Sequence, residues 1–323
     1  MTAFRGADLH CHSTFSDGVE PPAQLVARGV AAGLSVLALS DHDAVHGLPE
    51  FEAAAKGTGL VTVTASELST RCDGDDVHVL GLFLDPEEPE LRARLAVFRE
   101  DRDARGEAMI GKLAALGMPL DLAEVRAVVG EGAFGRPHIA RAMVAKGYVK
   151  SLEEAFERFL TRGKPAYVPK PKWTLEEAIA AIRKAGGLSV IAHPIWYRDP
   201  EKIVALGIAA GLDGLEVIHA DQDGQKENEF GLLAERQGLL KSAGSDYHGP
   251  PEGRKRVGAC KLDEDHWNRM VVAASKRRAD SGRPPASAMA SAVRSAMTRD
   301  RAPSRFPVRS SGMPTVSRGR SRA

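Results

Sequence analysis

The stretch Asp8-Leu9-His10-Cys11-His12-Ser13 decides how the rest of the chain is read. As a β-strand its side chains alternate between two faces, so Asp8, His10 and His12 share one face and Leu9 and Cys11 the other. Two imidazoles at successive same-face positions can grip one divalent cation, and Asp17 follows as a hard oxygen ligand. A short His-x-His also occurs in ordinary strands, so the remaining sequence has to arbitrate.

The chain has 323 residues, 43% of them hydrophobic, enough for one large α/β domain or two ordinary ones. No apolar run approaches the ~20 residues that span a bilayer, and no signal-peptide layout is present, which implies no membrane partner. Cys11, Cys72 and Cys260 are odd in number and widely spaced, arguing against a disulfide framework and for a reducing, cytoplasmic setting. The net charge of +1 conceals an asymmetry: residues 273–323 carry twelve Lys/Arg against two Asp, which leaves −9 on everything before them. Clustered carboxylates and histidines in an acidic body suit a cation site.

Outward from the first strand, Pro21-Pro22 open a helical pattern that Gly33 stops. The apolar runs Ser35–Leu39, Leu60–Ala65, Val77–Leu80, Leu188–Ala192 and Gly214–Ile218 read as strands alternating with helices, and Leu239–Ala243 leads into Gly244-Ser245-Asp246-Tyr247-His248. Residues 86–164 lack strand patterns and read as a helical insertion. Ser151 with Glu154, and Thr174 with Glu177, have capping-box spacing. His42, Glu67, His193, Asp246 and His248 each fall just past a strand end, with His10, His12 and His78 at or near one. That is the rim where catalytic groups gather in closed parallel barrels.

Taken in order, Asp8-Leu-His10-Cys-His12-Ser13 with Asp17, Ser40-Asp41-His42-Asp43, Glu67, His78, Ala192-His193-Pro194 and Gly244-Ser245-Asp246-Tyr247-His248 resemble the PHP (polymerase and histidinol phosphatase) superfamily of metal-dependent phosphoesterases. The resemblance covers roughly residues 7–260. It implies an α/β fold, a distorted (β/α)7 TIM-like barrel formed by residues 1–85 and 165–265, with residues 86–164 as a small helical cap. It also implies two or three divalent ions, Mn2+ first and Fe2+ or Zn2+ as other occupants. His10, His12 and Asp246 would hold one ion with Glu67 bridging, and Glu67 and His78 a second. Asp17, His42, His193 and His248 would hold a third. No cysteine enters the set.

The insertion narrows the subfamily. Arg99-x-x-Arg102-x-x-Arg105 with Met109, Gly135-Arg136-Pro137-His138-Ile139-Ala140-Arg141 and Lys164-Pro165-Ala166-Tyr167-Val168 look like the 3′,5′-nucleoside bisphosphate phosphatases, a group that includes 5′→3′ exoribonucleases acting on short RNAs. The expected partners are therefore a nucleotide and short single-stranded RNA. Arg102, Arg105, Arg136 and His138, with Asp17 and His42, become the expected substrate contacts, because guanidinium forks bind phosphate bidentately. Arg99 and Arg141 read equally well as solvated. The competing functions are phosphatase action on another small phosphoester such as histidinol phosphate, and a non-catalytic metal- or RNA-binding module. Cys11 reads as a packed core thiol; His46, His219 and His266 read as surface or loop residues, with a supporting role left open for Glu216-Val-Ile-His219 at its strand end. Residues 268–323 read as a basic tail too poor in apolar periodicity to fold, more an extension than an RNA-binding arm.

Overall fold

The computed structural model describes residues 3–129, 135–169, 172–250 and 255–283. Its centre is a nearly closed barrel of seven strands. In chain order they are β1 (Ala7–Asp8), β2 (Val36–Leu39), β3 (Val61–Cys72), β4 (Asp75–Leu82), β6 (Leu188–Ile191), β7 (Gly214–His219) and β8 (Leu240–Gly244). Spatial order follows chain order. A two-residue strand, β5 (Trp173–Thr174), pairs with β3 at Thr70 and Arg71, off the main path. Helices α1 (Pro22–Ala31), α2 (Leu48–Ala55), α7 (Leu175–Lys184), α8 (Pro200–Ala210) and α9 (Gly224–Arg236) connect the strands.

Two features depart from the repeating βα reading. First, β3 continues past Glu67 to Cys72 and turns through Asp73 (φ 49°) and Gly74 (φ 85°) into β4. Left-handed φ at two successive residues is the type I′ geometry that Asp-Gly favours in hairpins. β4 is consequently antiparallel to both β3 and β6. Glu67 is thus a mid-strand residue, and His78 reaches the rim from the starting half of its strand. Second, regular pairing in β1 covers only Ala7–Asp8. The expected single apolar face does not hold: Leu9 packs in the barrel interior, Cys11 with the outer helices.

The seam between β1 and β8 is made by single contacts. Leu9 N–H donates to Ala243 O at 2.9 Å, Asp246 N–H to His10 O at 2.8 Å, and His12 N–H to Tyr247 O at 2.9 Å. Gly244 lets the strands approach, since a Cβ there would lie 2.1 Å from the His10 Cβ. Gly244→Ala should therefore wedge the seam open and destabilise the protein by about 1–3 kcal/mol or more, read as a lower midpoint in urea unfolding.

On β2, β3 and β4 one alternation does two jobs. Val36/Ala38, Val61/Val63/Ala65 and Leu80/Leu82 fill the lower barrel, and the same faces continue upward to His42, Glu67 and His78. Helix α10 (Glu264–Asp280) closes the bottom, with Trp267, Met270, Val271 and Ala274 buried in that interior cluster. The boundary drawn at residue 268 is therefore too early. Basic residues dominate α10's last turn, but Arg277 is bound to Asp213 (2.6 Å), and its apolar stripe is spaced for a helix. Of the expected tail, residues 284–323 lie outside the described residues.

Between β4 and β5 run α3 (Pro89–Ala115), α4 (Leu122–Val129), α5 (Arg136–Ala145) and α6 (Leu152–Ala155), the last continuing as a π-helical turn. They carry their own core, including Met109, Leu113, Ile139, Met143 and Leu160, distinct from the barrel clusters.

Candidate metal centre

The rim gathers all nine expected metal-binding residues. Glu67 stands in the middle of the barrel mouth. Its Oε1 lies 2.8 Å from His78 Nδ1 and 2.9 Å from His193 Nε2. Its Oε2 lies 3.1 Å from His12 Nε2, 3.1 Å from His42 Nδ1 and 3.2 Å from His10 Nε2. Asp246 Oδ1 closes on His10 and His12 at 3.4 and 3.3 Å, and Asp17 Oδ1 on His248 Nε2 at 3.1 Å. Three sets could each hold an ion with ligand atoms within 4.8 Å of one another: His10–His12–Glu67, His42–Glu67–His78 and His12–Asp17–His42–His248. The grouping differs from the expected one: His12 also joins Asp17, His42 and His248, His42 also joins Glu67 and His78, Asp246 falls in none of the three sets, and His193 sits beside Glu67 and His78. Beta-strand β6 delivers it from the far side of the mouth.

The donor chemistry fits divalent ions. His42 Nδ1 and His78 Nδ1 are buried with no hydrogen bond, although both face Glu67 oxygens. Ring nitrogens that aim at a carboxylate without hydrogen-bonding it are placed as ligands around a common point. Six imidazoles and three carboxylates with no thiolate suit Mn2+, Fe2+ or Zn2+. Burial favours neutral Glu67, but His42, His78 and His10 outweigh it and hold the carboxyl well below its usual range. Burial likewise pushes His42 well below the ordinary imidazole value. For His12 burial is outweighed by Asp246 and Glu67, and its value is pushed up to about 10.

A layer behind the ring fixes it. Glu216, fully buried, accepts from His10 Nδ1–H at 3.0 Å through one oxygen and from the His193 backbone N–H at 2.6 Å through the other. The first bond sets the His10 tautomer so that Nε2 faces the ring. The second helps hold His193 at φ 30°, a left-handed conformation costing about 1–3 kcal/mol in a non-glycine residue. Asp41 accepts from Ser13 (Oγ, 2.6 Å) and Ser16 (Oγ, 2.6 Å), bracing the loop that carries Asp17. Asp43 accepts from Ser69 N–H at 2.9 Å, orienting the turn after His42. His219 is fully buried, not on the surface: Asp221 N–H donates to its Nδ1 at 3.1 Å, and its Nε2 faces Asp246 Oδ2 at 3.4 Å. Glu216 and His219 had only one sequence signal, their place at the end of a strand. Glu216→Gln should weaken Mn2+ binding about 10–100-fold, measured by competition against a chelating dye.

The insertion contributes differently from expectation. Arg141 reaches the ring, donating from Nη2 to the Asp17 backbone carbonyl at 3.1 Å, with the Asp17 carboxylate as its neighbouring negative charge. Arg105 is buried and its Nε donates to Val168 O at 2.7 Å, tying α3 to the end of the insertion. Arg136 lies over the Phe156 ring at 5.7 Å. His138 is buried and its Nδ1 accepts from Gly135 N–H at 3.1 Å, capping α5. The side chain of Arg102 lies outside the described residues. Sequence spacing ranks arginines on one helix but not the angle at which α5 meets the barrel, so Arg141 was not distinguishable from a solvated residue.

The chain is similar to known proteins along most of its length. The PHP domain model matches residues 8–120. A Chromobacterium violaceum protein named 3′,5′-nucleoside bisphosphate phosphatase is 39% identical over 257 residues, 78% of this chain and 90% of that one. The chain belongs to the PHP family. A Haemophilus influenzae 5′-3′ exoribonuclease is also 39% identical, over 75% of this chain and 90% of its own. A solved structure from Bifidobacterium adolescentis, described as a metal-dependent phosphoesterase, superposes with a TM-score of 0.76 at 33% identity, covering 83% of this chain and 96% of that one. The similarity thus runs along 90% or more of each of these relatives.

Proposed function

We propose that the chain removes the 3′-phosphate of nucleoside 3′,5′-bisphosphates, leaving nucleoside 5′-monophosphates, and that the same centre shortens 5′-phosphorylated RNA from its 5′ end. The observation that carries this reading is Arg141 of the insertion, placed beside Asp17 at the edge of a ring of seven grouped ligands that His193 and Asp246 extend to nine. The relatives' names point the same way. His10, His12, Asp17, His42, Glu67, His78, His193, Asp246 and His248 are the proposed ligands, Mn2+ the proposed ion and the cytoplasm the proposed setting, whose reducing conditions suit the buried thiols of Cys11, Cys72 and Cys260. Bound divalent ions supply Lewis-acid charge that lowers the pKa of water and neutralises phosphate oxygens.

The chain's own residues then divide the work. Glu67 and Asp246 balance positive charge at the centre while Glu216 keeps His10 aimed at it. Arg141 binds the phosphate that is not cleaved, and the insertion excludes water from one side of the mouth.

The test is phosphate release with Mn2+ from adenosine 3′,5′-bisphosphate, histidinol phosphate and a short 5′-phosphorylated RNA. Turnover of the first and shortening of the third are expected; turnover of histidinol phosphate alone would overturn the proposal, as would no turnover of any. Arg141→Ala should raise KM for the bisphosphate roughly 10–100-fold, the loss of one charged hydrogen-bond pair worth about 1.5–3 kcal/mol.

A further inference from the structure

The mouth of the barrel has two chemically different sides. Asp17, where Arg141 docks, follows β1. Across the ring, three strands away through β8 and β7, β6 ends in His193 and a 3-10 turn, Pro194–Trp196. The Trp196 indole stacks on the His193 imidazole with ring centroids 3.9 Å apart and planes 28° apart. It is nevertheless 50% exposed. An indole with one face covered at that distance can be half-exposed only if much of its other face is open.

Among the described residues, packing leaves this ring half open. Large aromatic rings contribute to stability by burial, and this one withholds half of its surface. Its orientation is nonetheless fixed at three points. Nε1–H donates to Asp221 Oδ2 at 3.2 Å, the His219 ring meets it edge-on at 5.7 Å, and Lys255 Nζ, paired with Asp221 at 3.0 Å, stands 5.6 Å from the ring centroid. An oriented, half-exposed aromatic ring beside a phosphate-cutting centre, with a cation over it, is the usual apparatus for stacking a base.

We infer that Trp196 is the base-stacking platform of the site, holding the nucleobase of the substrate on the side opposite Arg141, with Lys255 near its sugar–phosphate. A nucleoside bisphosphate then spans the mouth: its uncut phosphate on the guanidinium side, its scissile phosphate over the ring, its base on the indole. Stacking tolerates any base because every base presents a π-face, so Trp196 selects nucleotides over other phosphoesters without selecting among nucleotides. This inference rests on the proposed phosphatase activity and names what that activity recognises.

The experiment compares adenosine 3′,5′-bisphosphate with its baseless counterpart, 1-deoxyribose 3,5-bisphosphate, on wild-type, W196A and W196F protein. W196A should raise KM for the adenosine compound about 5–100-fold, the range of one base–aromatic stack, with kcat within about twofold. For the baseless compound KM should change less than about twofold, and W196F should recover most of the loss. Equal losses on both compounds, or a fall in kcat shared by both, would overturn the inference and make Trp196 a support for His193, leaving the activity standing. Wild-type protein that releases no phosphate from the adenosine compound would overturn the activity and the inference together.

Discussion

Glu67→Gln is expected to abolish turnover while leaving the protein folded. Glutamine has the same shape, so the β3 backbone and the barrel interior beneath are undisturbed. The charge is what changes. Two oxygens of one carboxylate are shared among five imidazoles, each 2.8–3.2 Å away. With an amide there, one end becomes a donor aimed at nitrogens whose lone pairs are needed for cations, and the centre loses its middle negative charge. Losing several kcal/mol of transition-state charge stabilisation corresponds to a rate roughly 10³-fold lower. Metal content per chain, measured by inductively coupled plasma mass spectrometry, should fall by at least one ion. Full metal content with more than about a tenth of wild-type activity would show that Glu67 is not the shared ligand.

Chelation should have the next largest effect, and on stability as well as activity. The ring holds buried histidines and carboxylates whose ligand atoms converge without cations between them. Ions that bind only the folded chain stabilise it by about 4 kcal/mol when present at roughly a thousand times their Kd. For a domain of this size each kcal/mol moves Tm by about 2–4 °C. Exhaustive dialysis against EDTA should therefore lower Tm by on the order of 10 °C and remove activity, and added Mn2+ should restore both. An unchanged Tm and undiminished turnover after metal removal would argue that the ring is held by its own ion pairs.

The sequence made the ring legible because ligand chemistry demands particular residue types, and strand alternation says which way they face. His42 and Glu67 continue faces that are apolar lower down, so both the barrel and its mouth can be read from one pattern. Direction was not legible in the same way. A strand in either sense shows the same alternation, and only the Asp73-Gly74 turn marked β4 as reversed. Residues that act through others were weaker still. Glu216 and His219 touch no expected substrate, and their meaning comes from which ring atoms they face. For Arg141 and Trp196 the deciding fact is exposure and angle, set by tertiary packing rather than local spacing.

The reversed β4 has a consequence for how the chain is routed. Because it starts at the mouth, it ends at the opposite pole, and the insertion must leave from there. Helix α3, 27 residues long, spans about 40 Å at 1.5 Å per residue, enough to climb the outer wall and return the chain to the mouth. The helical insertion, with Arg141 on it, is therefore carried on a strut, with a core of its own, and re-enters the barrel at β5. A module with its own core can change in length at its far end while every ring residue stays on the barrel, so the cap and the barrel are free to vary separately.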